Sequence, residues 1–182
     1  MTDSILQVDS EGAEQSARAL LAERTLRMEA TVVFSGYSAG QVFDIMGDPA
    51  RITDWYLLAK SVRVEDAALA DQPFIVDFTL FGEVTEQVLF WDPPRSYIYI
   101  ARGEDFPIQD YHAEISVEKN DADSGVLFWR VYFDRVSGSH QQRLLPVILP
   151  PVTEASIQRL GQMIGGAECS LVSDFKTPLI NA

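Results

Sequence analysis

The chain has 182 residues, of which 47% are hydrophobic and 23% charged, and this fits one globular domain with a sizeable core. Asp and Glu outnumber Lys and Arg by 27 to 14, which gives a formal net charge of −13. A surface of that sign repels phosphate backbones and anionic lipid headgroups, so we expect no nucleic-acid binding and no electrostatic membrane docking. A neutral or cationic ligand suits this field better, while the plainer reading of the charge is solubility.

No apolar stretch approaches the length of a membrane span, so we expect no integral membrane association. The N-terminus, MTDSILQVDSEGAEQ, lacks the basic flank and the apolar block of a signal peptide, which predicts a cytoplasmic location. The single cysteine, Cys169, excludes an internal disulfide and any cysteine-clustered zinc or iron–sulfur site. We therefore predict neither a metal nor another cofactor.

Residues 1–25 predict a partly helical extension. Ala13, Ala17 and Leu21 recur at helical spacing in a weakly amphipathic stretch. From residue 26 the period changes to two, as LRMEATVVF shows, and this predicts a strand with one buried face.

Two short helices are predicted after this strand. Ser38 is a suitable N-cap for the first helix, which Gly47 ends. Asp48 and Pro49 then supply a cap and a first-turn proline for a brief second helix that ends near Trp55.

Alternating patterns predict six further strands, with bounds of 60–65, 73–81, 83–91, 95–102, 108–118 and 125–135. The third and fourth of them flank the turn DPPR and carry large residues on both faces. One face holds Val84, Glu86, Val88, Phe90, Tyr97 and Tyr99, and the other holds Leu89, Trp91, Ile98 and Ile100. We interpret this as a curved sheet with one face towards a cavity, and the sequence does not decide which face is concave. The convex face needs a cover, for which the N-terminal helix and a second copy of the chain in a homodimer are the candidates.

The last hairpin alternates cleanly between an apolar and a polar face. If its turn pairs Glu118 with Val126, Glu114 lies opposite Arg130 as a cross-strand ion pair, and His112 lies opposite Tyr132. A strand face with Asp110, His112 and Glu114 suggests a metal site or a general base, but a polar surface facing solvent is the favoured interpretation.

A final helix is predicted over residues 152–173, with Thr153 as its cap. Gly161 and Gly165 lie four residues apart on this helix. Two interpretations stay open: the small residues leave room between helix and sheet, or the helix kinks or ends early at Gly165-Gly166.

Four stretches together resemble the START-like (SRPBCC) superfamily, in particular its polyketide cyclase/dehydrase branch. They are SAGQVFDIM at 38–46, the second short helix from Asp48 to Trp55, EQV to DPPR at 86–95, and GVLFW at 125–129. The resemblance covers roughly residues 26–175. It implies an α+β helix-grip fold, in which a curved antiparallel sheet of about seven strands wraps around the long C-terminal helix. It divides the chain into an extension (1–25), a ligand-binding domain (26–176) and a tail (177–182).

The resemblance implies a cavity for a lipid, a polyketide or a similar aromatic molecule. The leading hypothesis is binding or transport of such a hydrophobic or amphipathic molecule, and the alternative is an enzyme that promotes aldol-like cyclisation of a polyketide. Glu86 is the candidate acid, base or ligand anchor if its strand face is concave, because burial raises the pKa of a carboxyl group. The predicted ligand-binding residues are Trp55, Phe78, Tyr97, Tyr99, Tyr111, Trp129, Gly161, Ile164 and Gly165.

Overall fold

The computed structural model describes residues 3–64 and 73–181. Three predicted segments extend beyond the described residues: the extension at residues 1 and 2, the strand 60–65 at residue 65, and the tail at residue 182.

The described chain is a mixed α+β structure built on one large antiparallel sheet. In chain order its elements are α1 (Asp3–Ala22), β1 (Leu26–Ser35), α2 (Ala39–Gly47), a 3-10 turn (Pro49–Arg51), α3 (Ile52–Trp55), β2 (Ala59–Val64), β3 (Phe74–Phe78), β4 (Gly82–Asp92), β5 (Ser96–Arg102), β6 (Tyr111–Asp121), β7 (Ser124–Tyr132), β8 (Arg135–Val136), α4 (Gly138–Met163), β9 (Gly166–Ser173) and β10 (Ile180–Asn181). Eight strands form the sheet in the order β2-β3-β4-β5-β6-β7-β1-β9, and β8 and β10 form a small parallel pair. The helix-grip fold is confirmed, with eight strands in the sheet instead of seven.

Local sequence signals account for the short helices. The Ser38 side chain accepts a hydrogen bond from the Gln41 backbone N–H, and the Gln41 side chain accepts one in return from the Ser38 N–H, which completes a capping box. The Asp48 side chain accepts from the Ala50 N–H, and Pro49 begins the turn that leads into α3. Both predicted caps are confirmed.

The last hairpin has the predicted register. Glu114 pairs with Arg130, His112 with Tyr132 and Glu118 with Val126. The inner faces of β6 and β7 bury apolar side chains against α2 and the rest of the main core.

The C-terminal part of the chain differs from the prediction. The helix α4 begins at Gly138 and runs through Pro146, Pro150 and Pro151, so the predicted helix start at residue 152 is wrong. A proline inside a helix removes a hydrogen bond and costs about 3 kcal/mol. Burial of Leu145 and Leu149 against the core offsets that cost. Thr153, the predicted cap, lies buried in the middle of α4.

The second interpretation of the glycines is the one that the structure supports. Gly165 adopts φ +64, a left-handed conformation that glycine favours, and the helix ends just before it. Residues Gly166–Ser173, predicted as helix, form β9 and pair with β1 at the edge of the sheet.

The helix α1 covers part of the outer face of the sheet. Ala17 and Leu21 pack against Phe90 and Ile98 in a separate small apolar cluster. The N-terminal helix α1 therefore covers part of the apolar outer face of the β4–β5 hairpin. None of the helices in the described parts of the chain is long and apolar enough to cross a membrane.

Candidate functional site

A cavity of about 70 Å³ lies between the inner face of the sheet and the helices. Its walls come from β3, β4, β5, β6 and β7 on one side and from the α2–α3 region and α4 on the other. Aromatic residues dominate the lining: Trp55, Tyr56, Phe74, Phe78, Phe81, Trp91, Tyr97, Tyr99, Phe106, Tyr111 and Trp129. A cavity with such walls favours a flat, apolar guest.

The β4–β5 hairpin turns its Glu86 face towards the cavity. Val84, Glu86 and Val88 line the cavity, as do Tyr97 and Tyr99 on β5. This side is therefore the inner face of the sheet, which the sequence left undecided.

A β-bulge between Val88 and Phe90 exchanges two residues between the faces. One extra residue in a strand reverses the side on which every following side chain lies. Phe90 therefore packs on the outer face against α1, and Trp91 lines the cavity. The predicted faces of these two residues are wrong for that reason.

Glu86 is the one carboxylate among the described residues that line the cavity. It lies on β4, an interior strand of the sheet, and is paired in register with Phe74 on β3 and Ala101 on β5. Its side chain is half-buried because it faces the cavity, and the surrounding protein raises the pKa of its carboxyl group to about 8. Near neutral pH the group is mostly protonated and still exchanges its proton readily, so it can donate or accept a hydrogen bond.

Tyrosine hydroxyl groups supply the other polar atoms. The Tyr97 hydroxyl donates to the backbone oxygen of Met46 at 2.7 Å, while the Tyr99 and Tyr111 hydroxyls lie 3.4 Å apart. Burial raises the pKa of Tyr56, Tyr97, Tyr99 and Tyr111, and the nearby charge of Glu86 raises each of them further. These hydroxyls stay protonated, so Tyr99 and Tyr111 together have one proton to give to a guest.

Trp55 and Trp129 meet edge to face with ring centroids 5.6 Å apart, and the Tyr56 ring contacts both. Within the described residues, neither indole N–H finds an acceptor. This aromatic cluster forms the α3 end of the cavity.

Comparison with known proteins agrees with this geometry. The model of a family described as "Polyketide cyclase / dehydrase and lipid transport" matches residues 25–162. The chain belongs to this family. No curated protein sequence matches the chain.

Solved structures of low sequence identity share the fold of this family member. The ZhuI aromatase/cyclase from Streptomyces sp. R1128 has a TM-score of 0.63 at 16% identity, over 77% of this chain and 94% of that one. A START superfamily protein from Mycobacterium smegmatis has a TM-score of 0.62 at 13% identity, over 76% and 97%. Norcoclaurine synthase from Thalictrum flavum, a point mutant in complex with a transition state analogue, has a TM-score of 0.58 at 14% identity, over 78% and 95%. The family match confirms the resemblance to the polyketide cyclase/dehydrase branch, and these structures confirm the helix-grip fold.

The structure brings seven of the predicted site residues of this family member to one cavity: Glu86, Trp55, Phe78, Tyr97, Tyr99, Tyr111 and Trp129. Their roles in binding stay predictions. Sequence reasoning missed Trp91, which the bulge moved, and Tyr56, although the latter directly follows a predicted site residue.

Gly161, Ile164 and Gly165 do not line the cavity. A Cβ atom on Gly161 would lie 2.6 Å from the Cys169 Sγ atom, because the helix packs closely on β9 there. Ile164 is fully buried at the end of α4. The prediction that these three residues border the ligand is corrected, since it assumed a helix that continued to residue 173.

The polar outer face holds an ion-pair network below α1. Glu114 accepts from Arg18 of α1 at 2.7 Å and from Arg130 at 3.4 Å, and Arg130 also donates to Glu29 at 2.6 Å. His112 is buried near this network, and burial lowers its pKa. In the described part of the chain, no group of three or more His, Cys, Asp or Glu residues is arranged to hold a metal ion.

Proposed function

We propose that this domain binds a small, mostly apolar molecule that carries one polar group, in the cavity between the sheet and α4. Family and fold indicate a ligand-binding domain of the START/polyketide cyclase type. The observation that carries the finer proposal is the contrast between the aromatic walls and the lone Glu86 carboxyl group. The walls provide apolar contact area, and the carboxyl group gives the guest an orientation.

The size of the cavity limits its guest. Pockets that enclose drug-sized ligands typically measure roughly 300–1,000 Å³. At about 70 Å³, this cavity is about half the size of an engineered cavity of roughly 150 Å³ that binds benzene, so a guest of one or two rings requires aromatic side chains to shift. A lipid with long acyl chains would require a larger rearrangement.

Intrinsic fluorescence gives a direct test, because all three tryptophans of the chain line the cavity. We expect a neutral two-ring compound such as 2-naphthol to change this fluorescence saturably. Ala101→Leu should weaken that binding at least tenfold, because Ala101 lines the cavity beside Glu86.

Ala17→Leu is a matched control, since Ala17 is buried on the opposite side of the sheet, in the cluster between α1 and the outer face. It overpacks a filled region, so we expect it to cost about 1–3 kcal/mol of stability. Naphthol affinity should be unaffected by it. If wild-type protein shows no saturable binding, the proposed function is wrong.

Catalysis is a second candidate, and the protonation state of Glu86 favours it. A general acid or base works best when its pKa lies near the operating pH, and burial brings the pKa of Glu86 to about 8. In a cyclase or dehydrase reaction, the carboxylate form would remove a proton next to a ketone. The hydroxyl proton that the Tyr99–Tyr111 pair leaves free would stabilise the resulting enolate oxygen.

A substitution at Glu86 distinguishes the two candidate functions, ligand binding and catalysis. With a short aromatic polyketide mimic, a catalytic role predicts that Glu86→Gln loses turnover about 100-fold or more while its affinity changes little. A catalytic role also predicts that wild-type turnover falls below about pH 8, because Glu86 is then protonated and cannot act as the base. Unchanged turnover in Glu86→Gln contradicts catalysis by this residue.

Other properties that the sequence predicts remain proposals for this domain. They are the cytoplasmic location, the lack of nucleic-acid binding, the homodimer, and the division of the chain at residues 25 and 176.

A further inference from the structure

Among the described residues that line the cavity, one is acidic and none is Lys, Arg or His. The Tyr97 hydroxyl already donates to a backbone oxygen, and the Tyr99 and Tyr111 hydroxyls are directed at each other. No hydrogen bond or ion pair joins the Glu86 carboxyl group to another described residue. A carboxylate in this position therefore lacks any positive partner from the described protein.

The aromatic walls favour positive charge over negative charge. Trp55, Tyr56 and Trp129 contact one another edge to face, and Tyr56 also meets Phe78 at 5.7 Å. Ring faces carry partial negative charge and attract ammonium groups that come within about 6 Å. Together with the net charge of −13, which raises the local concentration of cations, the site repels carboxylates and attracts amines.

We infer that the cavity selects a small aromatic or alkyl amine, bound as the ammonium ion with its nitrogen paired to the Glu86 carboxylate. The inference rests on the proposed function, because it names the class of molecule that the same cavity takes. It excludes fatty acids and other carboxylates as ligands, since no cation among the described residues of the lining would neutralise them.

The pairing links affinity to pH. Burial holds the pKa of Glu86 at about 8 in the empty cavity, so an ammonium ion that binds at lower pH must first release the carboxyl proton. Amine affinity should therefore rise about tenfold per pH unit from pH 6 towards 8. A neutral ligand of the same shape should show little change over this range.

Three compounds of equal size and different charge test the inference: 2-phenylethylamine, 2-phenylethanol and phenylacetate. At pH 8 we expect the amine to bind at least tenfold more tightly than the alcohol, and phenylacetate not to bind, by tryptophan fluorescence and calorimetry. Glu86→Gln should remove the preference for the amine and retain the alcohol. Glu118→Gln, which removes a charge from an exposed position on β6, should leave the order unchanged. Thermal melting checks that both variants are folded.

The failures of the inference and of the proposed function can be told apart. Equal or tighter binding of the alcohol, or an amine affinity that does not depend on Glu86, overturns the amine inference. If none of the three compounds binds while 2-naphthol does, the amine inference fails and the binding function stands. If 2-naphthol also fails to bind, both are wrong.

Discussion

Replacing Glu86 by Gln should stabilise the protein. The pKa of this carboxyl group is about 8 in the folded protein against an ordinary value of 4.5, because burial disfavours its charged form. At pH 7 the unfolded chain gains free energy by ionising Glu86, and the folded chain does not. One pKa unit corresponds to about 1.4 kcal/mol, which sets an upper limit of about 3 kcal/mol at pH 7. Water that enters the cavity reduces this value, so we expect Glu86→Gln to add about 1–3 kcal/mol to the free energy of unfolding.

The sign of the pH dependence follows from the raised pKa. Between pH 4.5 and 8 the folded state holds a proton that the unfolded state releases, so wild-type stability falls as the pH rises through this window. The variant lacks this contribution, and its advantage should grow from pH 5.5 to 8 and then level off. Urea unfolding followed by tryptophan fluorescence measures the difference, with Glu118→Gln as the exposed control. A difference that does not vary with pH, or a variant less stable than wild type at pH 8, would refute the reasoning.

Two further experiments test positions that lie outside the cavity, one in the packing of α4 on β9 and one on the outer face of the sheet. Gly161→Leu should destabilise the protein by about 1–3 kcal/mol and leave naphthol affinity unchanged, because a Cβ atom at this position meets Cys169 and not the cavity. Gln162→Leu, at an exposed position, is the control. Weaker naphthol binding by Gly161→Leu would contradict this placement. A double-mutant cycle between Glu114 and Arg130 should give a coupling of about 0.2–1 kcal/mol in urea unfolding. Naphthol affinity should not change in these variants, and its loss in Arg130→Ala would show that the outer face takes part in binding.

The antiparallel hairpins could be predicted because their information is local. In β6 apolar residues from Tyr111 to Val117 alternate with polar ones, and in β7 buried positions alternate with partly exposed ones, so one register places both inner faces on the core. The match of Glu114 with Arg130 then follows from the length of the turn.

The C-terminal region could not be predicted in the same way. Three prolines argue locally against a helix, while the apolar positions around Leu145 and Leu149 become decisive only when the core is present. The strand β9 is equally non-local, since its ladder partner β1 lies at the other end of the chain. A helical pattern and a strand pattern overlap in GAECSLVS, and pairing with β1 selects the strand.

Glu86 could be singled out because a lone carboxyl group on an apolar strand face is unusual in any register. Trp91 could not be placed, since a single bulged residue reverses the face and leaves no clear mark in the sequence. The glycines misled for a related reason. A small residue indicates close packing or empty space equally well, and at Gly161 the neighbour is Cys169.

Stability and binding place opposite demands on Glu86. An acidic residue at this inward-facing position of β4 does not stabilise the fold, because its register partners are Phe74 and Ala101 and none of the described residues that line the cavity is basic. A substitution that keeps the shape and removes the charge is expected to strengthen the fold, and the same substitution is expected to remove the preference for an ammonium ion. Residues that lower stability in this way are typical of functional sites, where the geometry needed by a ligand differs from that preferred by the protein alone. A stable Glu86→Gln variant that no longer distinguishes an amine from an alcohol would show that this carboxyl group serves the ligand, whereas a destabilised variant would assign it to the fold.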